Sequence, residues 1–347
     1  MNLAYLLYRD ELGLPARERH KMASDHTAQI LATADPPVHG EHKKIISPEF
    51  SPKRIATLSP HLIEMTQQRL AAGLASGKME FMSQLANLIP IEIVSELIAF
   101  KESNAEALFR AAIVQTDMLA AALSKEELHA KLAFSGEIFA WMFQQLQKAA
   151  EAPAAGILGL LAAAMKSNEI DPLVAMGILM TLFAAGGEPT SSLIGNTVFM
   201  LATDSERQQQ LRANNDLIPK FIEEVLRLES PFRYHMRLAS RPSKLCGVDV
   251  PEGATILLFW GAANRDPAEF DCPDEVDLNR ARRHVGFGSG IHTCIGNTLA
   301  RLETRIVIQT LLAATAEFGL LDDEETKWVP SLAVRRLHSL PIRLNRR

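Results

Sequence analysis

The sequence predicts a mainly α-helical protein with small β-sheets, and three observations support this fold class. Apolar residues recur at intervals of three and four over most of residues 58–170, which is typical of amphipathic helices. Residues 172–203 form one long apolar stretch, which we interpret as a single helix. Residues 245–260 alternate between apolar and polar positions, which predicts strands and therefore the small sheets.

The first part of the chain predicts short elements. Residues 1–34 show weak periodicity and predict short helices and a loop. After Asp35-Pro36-Pro37, His39 and Lys43 lie four residues apart and therefore share one face of a predicted helix. Most such residues belong to a solvated basic helix start, which is the alternative interpretation.

The long apolar helix has clear boundary signals. Asp171 followed by Pro172 is typical of a helix start, with the aspartate as N-cap. Asp204 and Asp216 are predicted to cap the two helices that follow. Pro189 lies inside the long helix and predicts a kink there, because its ring pushes on the carbonyl four residues earlier.

The next predicted helix contains Glu224 and Arg227, which are three residues apart and able to pair. As an exposed pair they would contribute only a few tenths of a kcal/mol. Further on, Pro251-Glu252-Gly253 predicts a hairpin turn ahead of a strand at Thr255–Phe259.

Composition excludes some classes of protein. The net charge is −5 for 347 residues, which gives no reason to expect nucleic-acid binding. The three cysteines, Cys246, Cys272 and Cys294, are too few for a disulfide framework and indicate a reducing compartment. The first residues lack the features of a secretion signal, and the longest apolar run, around Ile178–Ala185, is too short to span a bilayer. We therefore expect a cytoplasmic protein.

One stretch, Phe287–Gly296, carries the strongest chemical signal. Its glycines, Gly288, Gly290 and Gly296, allow tight turns and close approach to a flat ligand. Cys294 stands near a predicted helix N-terminus, which favours the thiolate and predicts a lowered pKa. A single cysteine is a poor zinc or iron–sulfur site but suits one axial bond to a haem iron. The alternative is a buried structural thiol.

This stretch reads Phe-Gly-Ser-Gly-Ile-His-Thr-Cys-Ile-Gly and matches the haem-binding signature of the cytochrome P450 family. The chain resembles a bacterial, soluble member from about Asp35 onwards. The resemblance implies a P450-like fold, with haem b held between a long central helix and the cysteine loop. We expect residues 1–347 to form a single such domain, with the family's N-terminal strand-rich segment missing or shortened.

The resemblance also implies site residues. Cys294 matches the iron ligand, and Phe287, Gly288 and Gly296 belong to the loop that holds the haem. Four basic or imidazole side chains match partners of the haem propionates: His39, Lys43, Arg237 and His292. Lys43 stands where arginine is usual, which keeps the charge but loses the bidentate fork.

Residues Ala184–Ser191 resemble the family segment in which an acid and a following threonine relay protons, and in which small residues leave room for dioxygen and substrate. Glu188 matches the acid, and buried glutamates are rare unless they have a role. Pro189 stands at the threonine position, and Thr190 follows it. We predict Glu188 and Thr190 as catalytic residues; a substrate hydroxyl or ordered water is the alternative to Thr190.

The Glu224–Arg227 segment matches a structural helix of the family, whose pair is completed by a later arginine. Glu275 stands at that later position, so Arg280 or Arg282 is expected to substitute. Residues 234–236, Tyr-His-Met, match a segment that lines the substrate pocket.

The resemblance implies a monooxygenase that inserts one oxygen atom from O2 into a small or medium apolar substrate, as in secondary metabolism or catabolism. No nucleotide-binding fingerprint is present, so electrons are expected from a ferredoxin or flavodoxin with its reductase. Lys43, Lys44, Arg282 and Arg283 are candidates for a docking face. The alternatives are peroxide-driven oxidation or oxidative coupling, and a haem-thiolate binding or sensing protein without turnover.

Overall fold

The computed structural model describes residues 31–119, 123–281 and 284–347, and the predictions for residues 1–30 lie outside them. The α-helices in the described part are α1 Val38–Ile46, α2 Pro52–Ala56, α3 Ser59–Ser76, α4 Ile89–Ile98, α5 Ala105–Leu119, α6 Lys125–Glu151, α7 Gly156–Lys166, α8 Pro172–Ala202, α9 Ser205–Ala213, α10 Leu217–Leu228, α11 Trp260–Ala263 and α12 Asn297–Ala314. The prediction of a mainly helical chain is confirmed.

The strands are short and form small antiparallel sheets. They are β1 Lys78–Glu80, β2 His235–Leu238, β3 Ser243–Leu245, β4 Val248–Val250, β5 Thr255–Leu258, β6 Thr315–Leu320, β7 Lys327–Trp328, β8 Leu337–Ser339 and β9 Pro341–Arg346. The largest described sheet has the order β1-β9-β6, with Lys78 opposite Arg343 and Phe318 opposite Leu344. The pairs β2–β5, β3–β4 and β7–β8 complete the described sheets.

Helix α8 is the centre of the fold. The Asp171 side chain accepts a hydrogen bond from the Val174 N–H at 2.8 Å, as the cap prediction requires. The helix continues through Pro189 and packs against α4, α5 and α12. It is long and apolar enough to cross a membrane, but 56% of its most apolar 18-residue stretch is buried inside the protein, as in a core helix. Helices α6 and α7 taken together are also long and apolar enough to cross a membrane, but the chain bends by 65° between them.

Two glycines of α8 serve packing against α4. A Cβ atom at Gly186 would lie 2.7 Å from Val94 Cγ2, and one at Gly187 would lie 2.5 Å from Ile91 Cδ1. These two glycines therefore let α4 approach closely, and they do not provide the expected room for dioxygen and substrate. Ala185 is exposed although the neighbouring positions of α8 are largely buried, so this small residue faces the open side of the helix.

Two boundary predictions need correction. Asp204 caps α9 as predicted, with its side chain accepting the Arg207 N–H at 2.8 Å. Asp216 adopts a helical conformation and makes no capping hydrogen bond, which the prediction required. The turn at residues 251–253 does not join paired strands, because β5 pairs with β2, and β4 pairs with β3.

Candidate functional site

The cysteine loop lies immediately before α12 and is held by its own backbone. The Cys294 N–H donates to the Phe287 carbonyl at 2.9 Å, and the loop turns at Gly288 and Gly290 with φ angles of +70° and +75°. The backbone N–H groups of Gly296 and Asn297 lower the pKa of the Cys294 thiol, and the Asn297 N–H donates to the Cys294 carbonyl at 3.4 Å. Gly296 itself has a φ of −84°, so the turn does not require glycine there.

The expected lowering of the Cys294 pKa is wrong for the chain itself. Cys294 is exposed on one side, but protein encloses the rest of it. Burial raises its pKa, and this outweighs the Gly296 N–H and the charges of Arg301 and Lys43. A thiol that coordinates a metal is deprotonated outright, so metal binding and not the helix N-terminus would create the thiolate.

The four predicted propionate partners come together from three segments of the chain. The rings of His39, on α1, and His292, in the loop, are in edge contact with centroids 4.4 Å apart. Lys43 Nζ donates to the Ile291 carbonyl at 3.1 Å, beside His292. Burial lowers the pKa of His292, and the charges of His39, Arg237 and Lys43 lower it further. These groups therefore form one electropositive cluster next to the cysteine loop.

The cluster and the loop fit a haem. Haem offers one axial position to a thiolate and two carboxylates to cations, and the donors found here match both needs. Within the described residues, no group of three or more His, Cys, Asp or Glu side chains could hold a metal ion, so Cys294 is not part of a multi-ligand metal site.

His235 and Arg237 point to the same side of β2, because side chains alternate along a strand. Trp260 Nε1 donates to His235 Nδ1 at 2.5 Å. An indole only donates, so His235 is neutral and carries its proton on Nε2. Although part of the residue is exposed, burial lowers the pKa of His235 to about 4, and Arg237 adds to the effect.

Glu188 lies buried in the middle of α8 and does not face water. Ser192 donates to Glu188 Oε1 at 3.0 Å, and Arg336 Nε lies 3.4 Å from the same oxygen in a geometry that makes no hydrogen bond. Arg336 donates instead to Asp117 at 3.3 Å, and Lys131 reaches Asp117 at 2.8 Å. Burial raises the pKa of Glu188 despite the Arg336 charge and the Ser192 hydrogen bond.

Thr190 is buried on another side of α8. Successive helix residues are about 100° apart, so Thr190 stands about 200° around the axis from Glu188. The structure does not bring these two predicted residues together; Ser192, Asp117 and Arg336 are the groups around Glu188. Pro189 has no N–H, so the carbonyl of Ala185 on the open side lacks its intrahelical donor.

The Glu224–Arg227 pair is buried, contrary to the exposed pair that we expected. Arg227 Nε and Nη2 each lie 2.8 Å from a Glu224 carboxylate oxygen. Arg280 Nε reaches Glu224 at 3.2 Å, so Arg280 takes the place of the third arginine. Arg282 and Arg283 lie outside the described residues. Arg227 also donates to the carbonyls of Pro273 and Glu275, and so anchors the segment before the cysteine loop.

Sequence reasoning missed the partners of Glu188. Ser192 follows Glu188 by four residues, which is a readable helical spacing. Asp117 and Arg336 come from distant segments, and the only signal was an arginine pair, Arg335-Arg336, inside an apolar stretch. Glu223 and Arg301 were also missed, although both lie close to motifs that the sequence singled out.

Comparisons with known proteins agree with this geometry. A family model described as Cytochrome P450 matches residues 133–328. The chain is 39% identical over 315 residues to Cytochrome P450 144 of Mycobacterium tuberculosis, across 90% of this chain and 72% of that relative.

Two further matches extend the comparison. The chain is 31% identical over 317 residues to the Biotin biosynthesis cytochrome P450 of Bacillus subtilis, across 90% of this chain and 80% of that relative. A crystal structure of P450BioI in complex with an acyl carrier protein ligated to hexadec-9Z-enoic acid has a TM-score of 0.86 and 30% identity, across 96% of this chain and 86% of that chain.

Proposed function

Because this chain belongs to the cytochrome P450 family and is one of its enzymes, we propose that it is a haem-thiolate monooxygenase that inserts one oxygen atom from O2 into a small or medium apolar organic substrate. The observation that carries the proposal is the placement of Cys294, on its tightly turned loop, beside the cluster of His39, His292, Lys43 and Arg237. Relatives named Biotin biosynthesis cytochrome P450 and 6-deoxyerythronolide B hydroxylase support an organic substrate.

The cofactor in this proposal is haem b. Cys294 would hold its iron, and the four-residue electropositive cluster would hold its propionates. When bound, haem would supply the redox centre at which dioxygen is activated. The N–H groups of Gly296 and Asn297 limit the basicity of the sulfur, because they stabilise its negative charge.

Glu188 is the proposed proton donor. Its raised pKa keeps a proton on the carboxyl group at higher pH than usual, and Ser192 fixes one of its oxygens. The Ala185 carbonyl is an available acceptor one helical turn earlier, where a water or a substrate hydroxyl can bind. Thr190 stays a prediction for a second relay, which its position makes less direct than Glu188.

Electrons are proposed to come from a ferredoxin or flavodoxin in the bacterial cytoplasm. Lys43 and Lys44 end α1 next to the cysteine loop and offer positive charge to an acidic partner. The other two residues of the predicted docking face, Arg282 and Arg283, lie outside the described residues.

Pro189 favours a second candidate function, the peroxide-driven oxidation or oxidative coupling that is the alternative to a monooxygenase. A chain without the threonine hydroxyl relays protons by another route or uses peroxide as its oxidant. Replacing Glu188 by alanine separates these possibilities, because the monooxygenase then couples fewer of the consumed electrons to product. Equal coupling in Glu188→Ala and the wild type would remove Glu188 from the mechanism.

The first experiment is the ferrous–carbon monoxide difference spectrum of the purified protein. We expect the strongly red-shifted Soret band of thiolate-ligated haem, and its loss in Cys294→Ser. Cys246→Ser and Cys272→Ser are the matched controls, since both residues are exposed free cysteines outside the loop. A wild-type protein without the band would contradict the proposal, and a protein without turnover that shows the band would be the binding or sensing alternative.

A further inference from the structure

Glu223 of α10 and Arg301 of α12 form a bidentate pair next to the cysteine loop. Arg301 Nε lies 2.6 Å from Glu223 Oε1, and Nη2 lies 2.9 Å from Oε2. Two parallel bonds fix the plane of a guanidinium as well as its position. The two helices are therefore tied together at a defined orientation beside the loop.

Arg301 also contacts the parts of the loop that hold Cys294. Its guanidinium carbon lies 4.5 Å from the centroid of the Phe287 ring, and Nη1 donates to Asn297 Oδ1 at 2.8 Å. The Phe287 carbonyl accepts the Cys294 N–H, and the Asn297 side chain donates to the Cys294 carbonyl. One guanidinium thus touches both residues that fix the cysteine backbone.

Glu223 reaches the loop from its other end through His284. His284 Nδ1 accepts the Gly286 N–H at 3.0 Å, so the neutral ring carries its proton on Nε2. That nitrogen lies 3.1 Å from Glu223 Oε2 and donates to it. His284 therefore holds the loop before Phe287, and Arg301 holds it after Cys294. Glu223 bonds to both His284 and Arg301 and so links the two ends.

We propose that Arg301, held in place by Glu223, is a positioning residue that orients the Cys294 loop and adds positive charge which raises the reduction potential of the bound haem. This inference rests on Cys294 being the haem ligand, as proposed above. Arg301 contacts Phe287 and Asn297 on either side of Cys294, so its charge lies close to the proposed ligand.

An electrostatic role of Arg301 and Glu223 predicts reduction-potential shifts of opposite sign, which a purely structural role does not predict. Loss of the Arg301 charge disfavours the added electron and lowers the reduction potential. Loss of the Glu223 charge leaves Arg301 uncompensated and raises the reduction potential. A structural defect would loosen the loop in both cases and shift both variants in the same direction.

The test measures the reduction potential of haem-loaded wild type, Arg301→Met, Arg301→Lys and Glu223→Gln. Arg301→Lys keeps the charge but loses the fork, so its potential stays near that of the wild type. Arg305→Met is the matched control: Arg305 lies one turn further along α12 and is exposed. Together with Arg301 and Glu223 it lines a surface groove of about 270 Å³. We expect its potential to change less than that of Arg301→Met.

Hydrogen exchange of residues 284–297 gives a second readout. We expect roughly tenfold faster exchange in both Arg301 variants, the fold-change of a lost interaction of about 1.4 kcal/mol. Shifts of equal sign in Arg301→Met and Glu223→Gln, an Arg305→Met shift as large as that of Arg301→Met, or unchanged loop exchange would each overturn the inference. A wild-type protein without thiolate-ligated haem would instead overturn the ligand assignment and this inference with it.

Discussion

Two glutamates in this protein each face an arginine, and their pKa values move in opposite directions. Glu223 is 41% exposed, and although its partial burial favours the neutral form, hydrogen bonds from Arg301 and His284 lower its pKa to about 2. Glu188 is 1% exposed, and burial raises its pKa although Arg336 lies 3.4 Å away. An arginine nearby is therefore not enough to keep a glutamate ionised.

The two pKa values differ because the two arginines are aligned differently with their glutamates, and because a second carboxylate competes for one of the arginines. Arg301 presents both donors of its fork to one carboxylate. Arg336 makes no hydrogen bond to Glu188 and shares its charge with Asp117, whose negative charge raises the Glu188 pKa further. The same residue types thus build an anchoring pair beside the cysteine loop and a proton-holding acid on α8.

The largest loss of stability is expected at an arginine–glutamate pair that is both well aligned and buried. Arg227 and Glu224 are 1% and 6% exposed and share two hydrogen bonds of 2.8 Å. Arg227→Leu would leave Glu224 buried without that partner and destabilise the protein by about 3–5 kcal/mol in chemical unfolding. Lys78→Ala, which removes an exposed pair with Glu324, is the control and should cost at most about 1 kcal/mol. Equal costs would refute the role of burial.

Glu303 extends the comparison to a glutamate that has no arginine partner among the described residues. It is fully buried in α12, and burial alone raises its pKa well above the usual value. Between the unfolded and folded pKa values only the unfolded chain ionises, so stability falls as pH rises above about 4.3.

Glu303→Gln removes that loss. The variant should be equal in stability to the wild type near pH 4 and more stable at pH 7, by about 1.4 kcal/mol for each pH unit above the unfolded pKa, until the folded pKa is reached. Thermal unfolding across this pH range measures the difference, with the exposed Glu137→Gln as control. A variant that is less stable at every pH would show that the carboxyl group has a stabilising partner.

The neighbours of Glu188 should shift its titration in opposite directions. The coupling of electrons to product is expected to fall as pH rises through the Glu188 pKa, because the acid then loses its proton. Arg336→Met raises that pKa and moves the fall to higher pH, whereas Asp117→Asn lowers the pKa and moves the fall to lower pH. The measurement is the coupling ratio against pH, with Glu188→Gln abolishing the dependence in both backgrounds. Shifts in one direction for both variants would contradict this assignment.

The smallest effect is expected at the half-exposed pair. The lowered pKa of Glu223 contributes stability above its unfolded value, and this contribution is lost as pH falls from about 4.3 towards 2. Acid unfolding of Glu223→Gln should therefore show a shallower loss between these pH values than that of the wild type. Identical acid-unfolding curves would mean that solvent screens the pair completely.

Local signals in the sequence predicted much of the fold. Asp171 caps α8 because an aspartate before proline satisfies the free N–H groups of a first turn, which is a local requirement. Asp216 does not act as a cap because its backbone is already helical, and its side chain accepts no hydrogen bond from the first turn of α10. The hairpin prediction was wrong because a turn sequence does not determine which strands pair. Strand β5 pairs with β2, which is more distant in the sequence than β4.

The site was predictable only where a motif fixed it. His39, Lys43 and His292 met as expected because the cysteine loop and α1 are packed together. Asp117 and Arg336 were not predictable, since their contact joins residues 219 positions apart and leaves no local periodicity. The Cys294 pKa was mispredicted because the helix terminus was weighed without the burial that opposes it.

The sheet β1-β9-β6 has a consequence for how the chain folds. Its central strand β9 pairs with β6 nearby and with β1 far back in the sequence, where Lys78 meets Arg343. Closing so long a loop costs entropy before any strand contact compensates, whereas the helices form from local contacts. We therefore expect β1 to dock late, so that a folding intermediate would present a helical body whose sheet edge is still open to another chain.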